Sequence, residues 1–313
     1  MMTPNTQRFT AMGTEIEGVL CAEPEQAAKV WSAIRETIEH FADRFTRFSP
    51  ASELSQLNAQ AGVAVKVSED MMAILGAAES MWHATHHLVD PSIGYAVISA
   101  GYDKSFELLA PVEHRPLPKM KMIRANMSLV EIRNATNQVK MPIGVNLDFG
   151  GLGKGYLLDH LAQIIEQVTV KYWISLGGDM IVSGTDLEDR AWPVGVQDPH
   201  QPDKNLGTLQ LSPSRWCVAT SSTLKRRGVR NGQTWHHIID PRTGRPSTSD
   251  VVSATVVTLS GLEGDAFAKT VLLQGSDEGI RWAEQQPSVE ALVVTASGQK
   301  KMTTGMQRLF ITQ

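Results

Sequence analysis

Cysteine is nearly absent from this sequence: among 313 residues there are two, Cys21 and Cys217. Two cysteines build neither a disulfide framework nor a zinc set by themselves, so both are expected to be reduced packing residues. No apolar run approaches the roughly eighteen residues a membrane-spanning helix requires. Basic charge is not in excess either, with 29 Lys and Arg against 33 Asp and Glu and a formal net charge of −4. That balance excludes the bulk positive field that drives binding to nucleic acid or anionic membranes, so any anion site must be local. The opening Met1 to Arg8 is polar, lacks a basic segment followed by an apolar one, and has no lipid-attachment cysteine nearby. The expectation is a cytoplasmic protein. Internal repeats and low-complexity tracts are missing too.

What is present is an ordinary globular composition, 42% hydrophobic, enough to fill a sizeable core. Residues 8 to 21 read as a strand pair bending at Ala11-Met12-Gly13-Thr14. Ala27, Val30, Trp31, Ile34, Ile38, Phe41 and Phe45 recur at three- and four-residue steps and predict an amphipathic helix over 24–45. Arg44 to Leu54 then combines two arginines and two aromatics before a Ser-Pro break; Phe48 can stack on a planar ring, or serve the core. A second helix is predicted from Glu69 to His87. Its His83 and His87 stand one turn apart at metal-ligand spacing, but with no third ligand on that face they are read as solvent-facing. Val89-Asp90-Pro91-Ser92-Ile93-Gly94 is a turn whose Asp and Ser can cap a helix or meet a ligand. Residues 103–127, rich in Pro, Lys, Arg and Met, read as an exposed excursion.

Two stretches carry chemistry. Val145 to Phe149 alternates like a strand, Gly150-Gly151-Leu152-Gly153-Lys154-Gly155-Tyr156 forms a glycine loop, and Leu157 to Ile165 continues as a helix. A strand, a glycine loop and a helix start place backbone amides where they can cradle phosphates, although a tight turn alone would use the same residues. The spacing fits neither the dinucleotide fingerprint nor the P-loop, because the third glycine position and the Ser or Thr after Lys154 are lacking. In the second stretch, Trp235 to Pro246, two imidazoles, a carboxylate and two guanidinium groups occupy twelve residues. Ile238 and Ile239 anchor a short strand that Asp240-Pro241 ends. His237 is suited to take a proton from a hydroxyl nucleophile, and Arg242 or Arg245 to face phosphate oxygens. The plainer alternative is a polar turn with Asp240 paired to Arg242. Near the C-terminus, Val251 to Leu259 is a strand, and Ser260-Gly261-Leu262-Glu263 is a capping box that starts a helix ending at Gly275. Within that helix Asp265 and Lys269 can form a surface salt bridge, or Asp265 can hold magnesium near a pyrophosphate. Lys225-Arg226-Arg227 is either a solvated turn or a counter-charge for phosphate.

Taken together, Met12-Gly13-Thr14, Phe48 with Ser52-Glu53-Leu54, Asp90 to Gly94, Leu147 to Tyr156, Leu176 to Asp179, Ala219 to Ser221 and His237 to Pro246 resemble the ApbE-like flavin transferase family, the FAD:protein FMN transferases. The resemblance spans nearly the whole chain. It implies an α+β fold of mixed sheets flanked by helices and a single catalytic domain over 1–313, with FAD in a cleft between the glycine loop and the His237 strand. It implies magnesium-dependent cleavage of the FAD pyrophosphate and transfer of FMN to a threonine hydroxyl of an acceptor protein bearing Asp-x-x-Ser/Thr-Gly/Ser-Ala-Thr, with release of AMP. His237 would be the catalytic base. Flavin contacts would fall on Met12, Phe48, Asp90, Ser92, Gly150, Tyr156, Gly177, Gly178, Ser221 and His236. The metal would be held by the Gly153 carbonyl, Asp265 and the position of Lys269. At that last position many relatives carry Thr or Ser; Phe48 replaces a frequent Tyr, and Ser222-Thr223 a common Gly-Asp. With water as nucleophile the same residues would make an FAD pyrophosphatase, and without metal a flavin-binding module.

Overall fold

In the computed structural model, residues 1–109, 112–113 and 126–312 are described, Glu113 and Gln233 by their backbone alone. The chain divides into two units, one formed by residues 1–39, 154–222 and 249–313 and the other by residues 40–153 and 223–248. The architecture is α+β, with helices and several sheets.

The first unit is built on an eight-stranded antiparallel sheet. Its strands, in spatial order, are Thr3–Ala11, Thr14–Ala22, Tyr172–Leu176, Asp179–Ser183, Trp216–Ser222, Val251–Thr258, Glu290–Thr295 and Lys300–Met302. Two of its hairpins close in two residues: Met12-Gly13 (φ +52° and +63°) and Gly177-Gly178 (φ +64° and +102°). Left-handed backbone at the first turn residue matches the twist of paired strands, and is an unusual conformation for methionine. The core strands are covered on both faces. Val218 and Val257 join an apolar cluster with the small sheet formed by Phe310–Thr312, Asn205–Leu209 and Val194–Gln197. Cys217 and Ala219 point the other way, against Gly264 of the helix Gly261–Gln274. This two-sided burial accounts for the nearly continuous apolar run of Val251–Thr258, which half-buried strands do not show.

That helix starts where a second one, Gly153–Glu166, also starts. Gly155 and Gly261 pack backbone to backbone, and a Cβ on either would run into the other's carbonyl oxygen. The glycines are therefore needed for close approach, and none of Gly150, Gly151, Gly153 or Gly155 has a positive φ. Asp159, nearly two turns into the glycine-led helix, accepts hydrogen bonds from Ser260 Oγ and from the amides of Gly261 and Leu262 at 2.8–2.9 Å. It thereby caps the neighbouring helix, whose own Ser260 also accepts from the Glu263 amide.

The second unit holds the helices Glu53–Ala59, Glu69–Ala84 and Gly94–Ala100 and three small sheets. Gln233–His236 pairs antiparallel with Arg227–Arg230, which pairs in parallel with Val112–Glu113. Ile239–Asp240 and Arg245–Pro246 form a hairpin. The first helix forms as predicted, over Pro24–Phe45. The second stops three residues short of the prediction, because His86 and His87 adopt left-handed backbone (φ +49° and +69°). His83 and His87 are exposed, as expected, with the His87 ring stacked on Trp82 at 3.7 Å between centroids. Val145 to Phe149 does not form the predicted strand: a single bridge, Asn146 to Ile93, is made. The segment is clamped instead by Asn58, whose side chain both donates to the Leu147 carbonyl (2.9 Å) and accepts from its amide (2.7 Å). Of the excursion at 103–127, residues 110–111 and 114–125 lie outside the described residues; Phe106, Leu108 and Val112 are exposed, and Met127 is buried. Among the described residues no helix is long and apolar enough to cross a membrane.

Replacing Gly155 by Ala is expected to lower stability by about 1–3 kcal/mol through overpacking at the helix crossing. Urea denaturation measures it, and an unchanged midpoint would contradict the close-approach account.

Candidate active site

In the first unit the glycine-led helix brings charged groups together at its N-terminus. Lys154 forms an ion pair with Asp179, whose carboxylate is almost wholly buried. The other Asp179 oxygen accepts the Thr220 amide at 2.9 Å, and Thr220 Oγ1 lies 2.9 Å from Thr255 Oγ1. Asp265, buried on Gly261–Gln274, accepts the Gly155 amide at 3.2 Å. Lys269 lies half-buried one turn further along the same helix. Gly177 is wedged against Thr14, where a side chain would meet Thr14 Oγ1, and its amide donates to the Glu15 carbonyl at 2.8 Å. The Met12-Gly13 and Gly177-Gly178 turns are thereby set next to each other. Ser221 is buried in its strand, and the Tyr156 ring leans on His160.

Asp265 is the only acidic side chain among the expected metal positions, and among the described residues no group of three His, Cys, Asp or Glu forms a metal site. Magnesium is commonly held by one or two carboxylates, with substrate phosphates and water filling the other positions. A lone buried aspartate beside helix-start amides fits that requirement; the Lys269 ammonium carries no lone pair and cannot be a ligand.

In the second unit Arg47 is the organiser. Its Nε lies 2.8 Å from Asp148 Oδ2, and its Nη2 donates to the Tyr102 carbonyl at 2.6 Å. Its guanidinium carbon sits 4.2 Å from the Phe48 ring centre and 4.7 Å from that of Tyr102. The second Asp148 oxygen accepts the Gly150 amide at 2.6 Å, so the ion pair ties Phe48 to the glycine loop. From Phe48, 41% exposed, ring contacts continue to Tyr102 (5.7 Å), and from Tyr102 to Trp235 (6.1 Å) and His237 (6.5 Å). Burial pushes the Tyr102 phenol up, opposed by Arg226 and Arg47.

The Arg226 carbonyl meets His237 twice, at its backbone amide (3.1 Å) and at Nδ1 (3.2 Å). A carbonyl only accepts, so in the neutral ring the proton sits on Nδ1 and the lone pair on Nε2. His236 meets the Ser247 carbonyl through Nε2 at 3.1 Å, while its buried Nδ1 has no partner among the described residues. Desolvation lowers the His236 pKa, against the opposing effect of the Ser247 hydrogen bond.

Two motifs turn inward. Asp90 Oδ1 accepts from the Ser92 amide and hydroxyl (2.8 and 2.6 Å), and its Oδ2 from Trp82 Nε1 and the Met127 amide (3.1 and 3.2 Å). Gly94 packs so tightly on Asn146 that a side chain would strike it, and the Pro91 carbonyl accepts the Asp148 amide at 2.8 Å. Asp90 and Ser92 thus set the loop that carries Asp148. Asp240 and Arg242 form the polar turn foreseen as the plainer alternative, a bidentate pair with contacts of 2.8–3.1 Å. The Arg47–Asp148 and Lys154–Asp179 pairs and the Asp159 cap were not foreseen; Lys154 and Asp179 each directly follow a glycine, the one signal that marked them.

Because the folded His236 value lies below the ordinary 6.5, the unfolded chain binds more protons between the two values, and stability rises with pH across that window. Acidification through it should therefore destabilise the protein, and His236→Gln should flatten that dependence. Urea midpoints between about pH 5 and 8 measure both; a slope that survives the substitution would remove His236 from the effect.

The ApbE family model matches residues 12–293. A Treponema pallidum protein named FAD:protein FMN transferase is 28% identical over 273 residues, covering 82% of this chain and 74% of that protein. A Vibrio cholerae protein of the same name is 24% identical, covering 90% and 84%. The ApbE protein of Thermotoga maritima superposes with a TM-score of 0.87 at 23% identity, over 98% of this chain and 99% of that one. The Vibrio cholerae flavin transferase ApbE superposes with a TM-score of 0.80 at 22% identity, over 99% and 100%. With a family model matched over most of its length and a fold shared end to end with these structures, the chain belongs to the ApbE family.

Proposed function

We propose that this protein is an FAD:protein FMN transferase that moves FMN from FAD to a threonine hydroxyl of an acceptor protein and releases AMP. The observation that carries the reading is His237, whose Nδ1 meets the Arg226 carbonyl so that the lone pair of the neutral ring lies on Nε2, in a chain whose relatives bear that name over most of its length. The acceptor oxygen attacks the phosphorus of the FMN half, and His237 Nε2 takes the hydroxyl proton. A phosphorus–oxygen bond to the acceptor forms, the bond from that phosphorus to the bridging oxygen breaks, and AMP leaves with that oxygen. Such a step depends on charge neutralisation and positioning more than on covalent help from the protein. Lys154, oriented by Asp179, and the amides at the helix start supply positive potential.

Asp265 would hold magnesium, with the Gly153 carbonyl as the other expected protein ligand; when bound, the ion neutralises pyrophosphate charge. Flavin contacts are assigned to Met12, Phe48, Gly150, Tyr156, Gly177, Gly178, Ser221 and His236. Phe48 offers an exposed ring backed by a guanidinium. Asp90 and Ser92 act by shaping the loop beside Asp148, since their side chains are spent on one another and on neighbours. The acceptor segment is expected to carry Asp-x-x-Ser/Thr-Gly/Ser-Ala-Thr.

The test is mass spectrometry of an acceptor of that type after incubation with the protein, FAD and Mg²⁺. The acceptor should gain one FMN while AMP appears; AMP and free FMN with an unmodified acceptor would replace transfer by pyrophosphate hydrolysis. His237→Ala should keep FAD bound and lower transfer by roughly 10²–10⁴-fold, the span for loss of a general base, and unchanged transfer would take His237 out of the reaction. Asp265→Ala should abolish the response to Mg²⁺; a metal titration identical to that of the unaltered protein would end the assignment.

A further inference from the structure

The strand pair that ends at the two histidines presents two faces. Arg227–Arg230 runs antiparallel to Gln233–His236, with Arg227 opposite His236 and Gly228 opposite Trp235. One step further, Arg226 comes opposite His237, whose amide donates to its carbonyl at 3.1 Å. Residues directly opposite share a face, and successive residues alternate. Arg226, Trp235 and His237 therefore fall on one face, and Arg227 and His236 on the other.

Tyr102 covers the first of these faces. Its ring stacks on Trp235 at 6.1 Å between centroids, meets His237 edge-on at 6.5 Å, and lies 5.7 Å from the exposed Phe48 ring. It stands between a ring assigned to flavin and the imidazole assigned as base. Burial pushes the Tyr102 phenol up, and of the charges that act on it Arg226 opposes that rise most, ahead of Arg47. Strand register and electrostatics thus agree in placing Arg226 beside the phenol.

Both polar groups are uncommitted. Among the described residues the Tyr102 hydroxyl forms no hydrogen bond, and the Arg226 guanidinium forms neither a hydrogen bond nor an ion pair. Arg47 differs, being engaged by Asp148 and by the Tyr102 carbonyl. Glu107, a carboxylate within the influence of Arg226, is exposed and is held first by Ser105. Arg226 also adds to burial in lowering the pKa of Lys225 beside it, the sign of positive charge in excess. A phenol kept neutral by burial donates a hydrogen bond, and a guanidinium fork matches phosphate oxygens.

FMN carries its flavin ring at one end and its phosphate at the other. With the ring at Phe48 and the attacking hydroxyl at His237, the phosphate end passes Tyr102, since the attacked phosphorus lies one forming bond beyond an oxygen that is hydrogen-bonded to the base. We propose that the Arg226 guanidinium and the Tyr102 hydroxyl are two further catalytic groups, which hold the non-bridging oxygens of the FMN phosphate while it is transferred. Neither group takes or gives up a proton; they meet the negative charge on those oxygens with fixed donors. The assignment to catalysis rests on the transferase reading, whereas the selectivity for a flavin phosphate does not.

Two substitutions isolate the groups. Tyr102→Phe keeps every ring contact and removes the hydroxyl, and Arg226→Gln keeps the carbonyl that meets His237 and removes the charge. Binding of FMN and of riboflavin, which lacks the phosphate, is followed by flavin fluorescence anisotropy without Mg²⁺. The unaltered protein should prefer FMN by about 10–100-fold, as hydrogen bonds to a charged group provide. Arg226→Gln should abolish most of that preference, Tyr102→Phe should reduce it, and Arg226→Lys should restore part of it, all with riboflavin affinity unchanged. With FAD, Mg²⁺ and a threonine acceptor, Arg226→Gln should lower transfer by roughly 10²–10³-fold, the loss expected for one preorganised donor. A preference for FMN that survives both substitutions would overturn the proposal. So would riboflavin affinity that falls in step with that for FMN, which would make the residues structural. A loss confined to AMP binding would also overturn it, giving the donors to the other half of FAD. Selective loss of FMN binding, with no transfer by the unaltered protein to any acceptor, would support the phosphate site while sinking the transferase reading.

Discussion

The contact between Gly155 and Gly261 has no room for a side chain, and the charged groups of the first unit depend on it. With two helix starts this close, Asp265 on one helix reaches the Gly155 amide of the other, and Asp159 reaches back to cap its neighbour. Each helix start has amides without intrahelical partners, and the buried Asp265 carboxylate needs a donor, so the crossing satisfies both at once. A methyl group at either glycine would separate the backbones and leave Asp265 buried without its donor.

The second unit solves the same problem with side chains. Arg47 holds Asp148, Asp148 holds the Gly150 amide, and the guanidinium face supports Phe48 and Tyr102. Asp90 fills all its acceptor positions with local donors. Such saturation makes rigid loops: a carboxylate with several short hydrogen bonds leaves the backbone little freedom. Against this background the buried Nδ1 of His236 stands out as a polar atom without a hydrogen-bond partner among the described residues. Rigid surroundings with a few uncommitted groups are the usual arrangement of binding surfaces, where specificity comes from pairing what the fold leaves open.

Much of this was legible in the chain because it follows from local rules. The helix at Pro24–Phe45 follows from apolar spacing, the Met12-Gly13 hairpin from its glycine, and the helix at Gly261–Gln274 from Ser260 before it and Gly275 after it. The residue types around Gly153 and His237 were legible as candidates for chemistry, with a tight turn and a polar turn as the alternative uses of the same residues. Local reading failed where a distant side chain replaced a local partner. Val145 to Phe149 has the alternation of a strand, yet Asn58 takes the backbone groups that a neighbouring strand would have used. The helix after Glu69 lost its last turn to two left-handed histidines, a cost no propensity anticipates.

By itself, the sequence determined the helix and strand periods, the turns that require glycine and the residue types available for chemistry, because these depend on neighbours within a few positions. Only the tertiary structure decided which charges meet. Lys154 and Asp179 are 25 positions apart, Arg47 and Asp148 a hundred and one, and Gly155 and Asp265 a hundred and ten. Coulombic and hydrogen-bond partners are chosen by distance in space, and burial then strengthens the pairs that packing has placed together. The same holds for His237: its identity was readable in the chain, but which ring nitrogen meets the Arg226 carbonyl was decided by the strand pair that brings the two together.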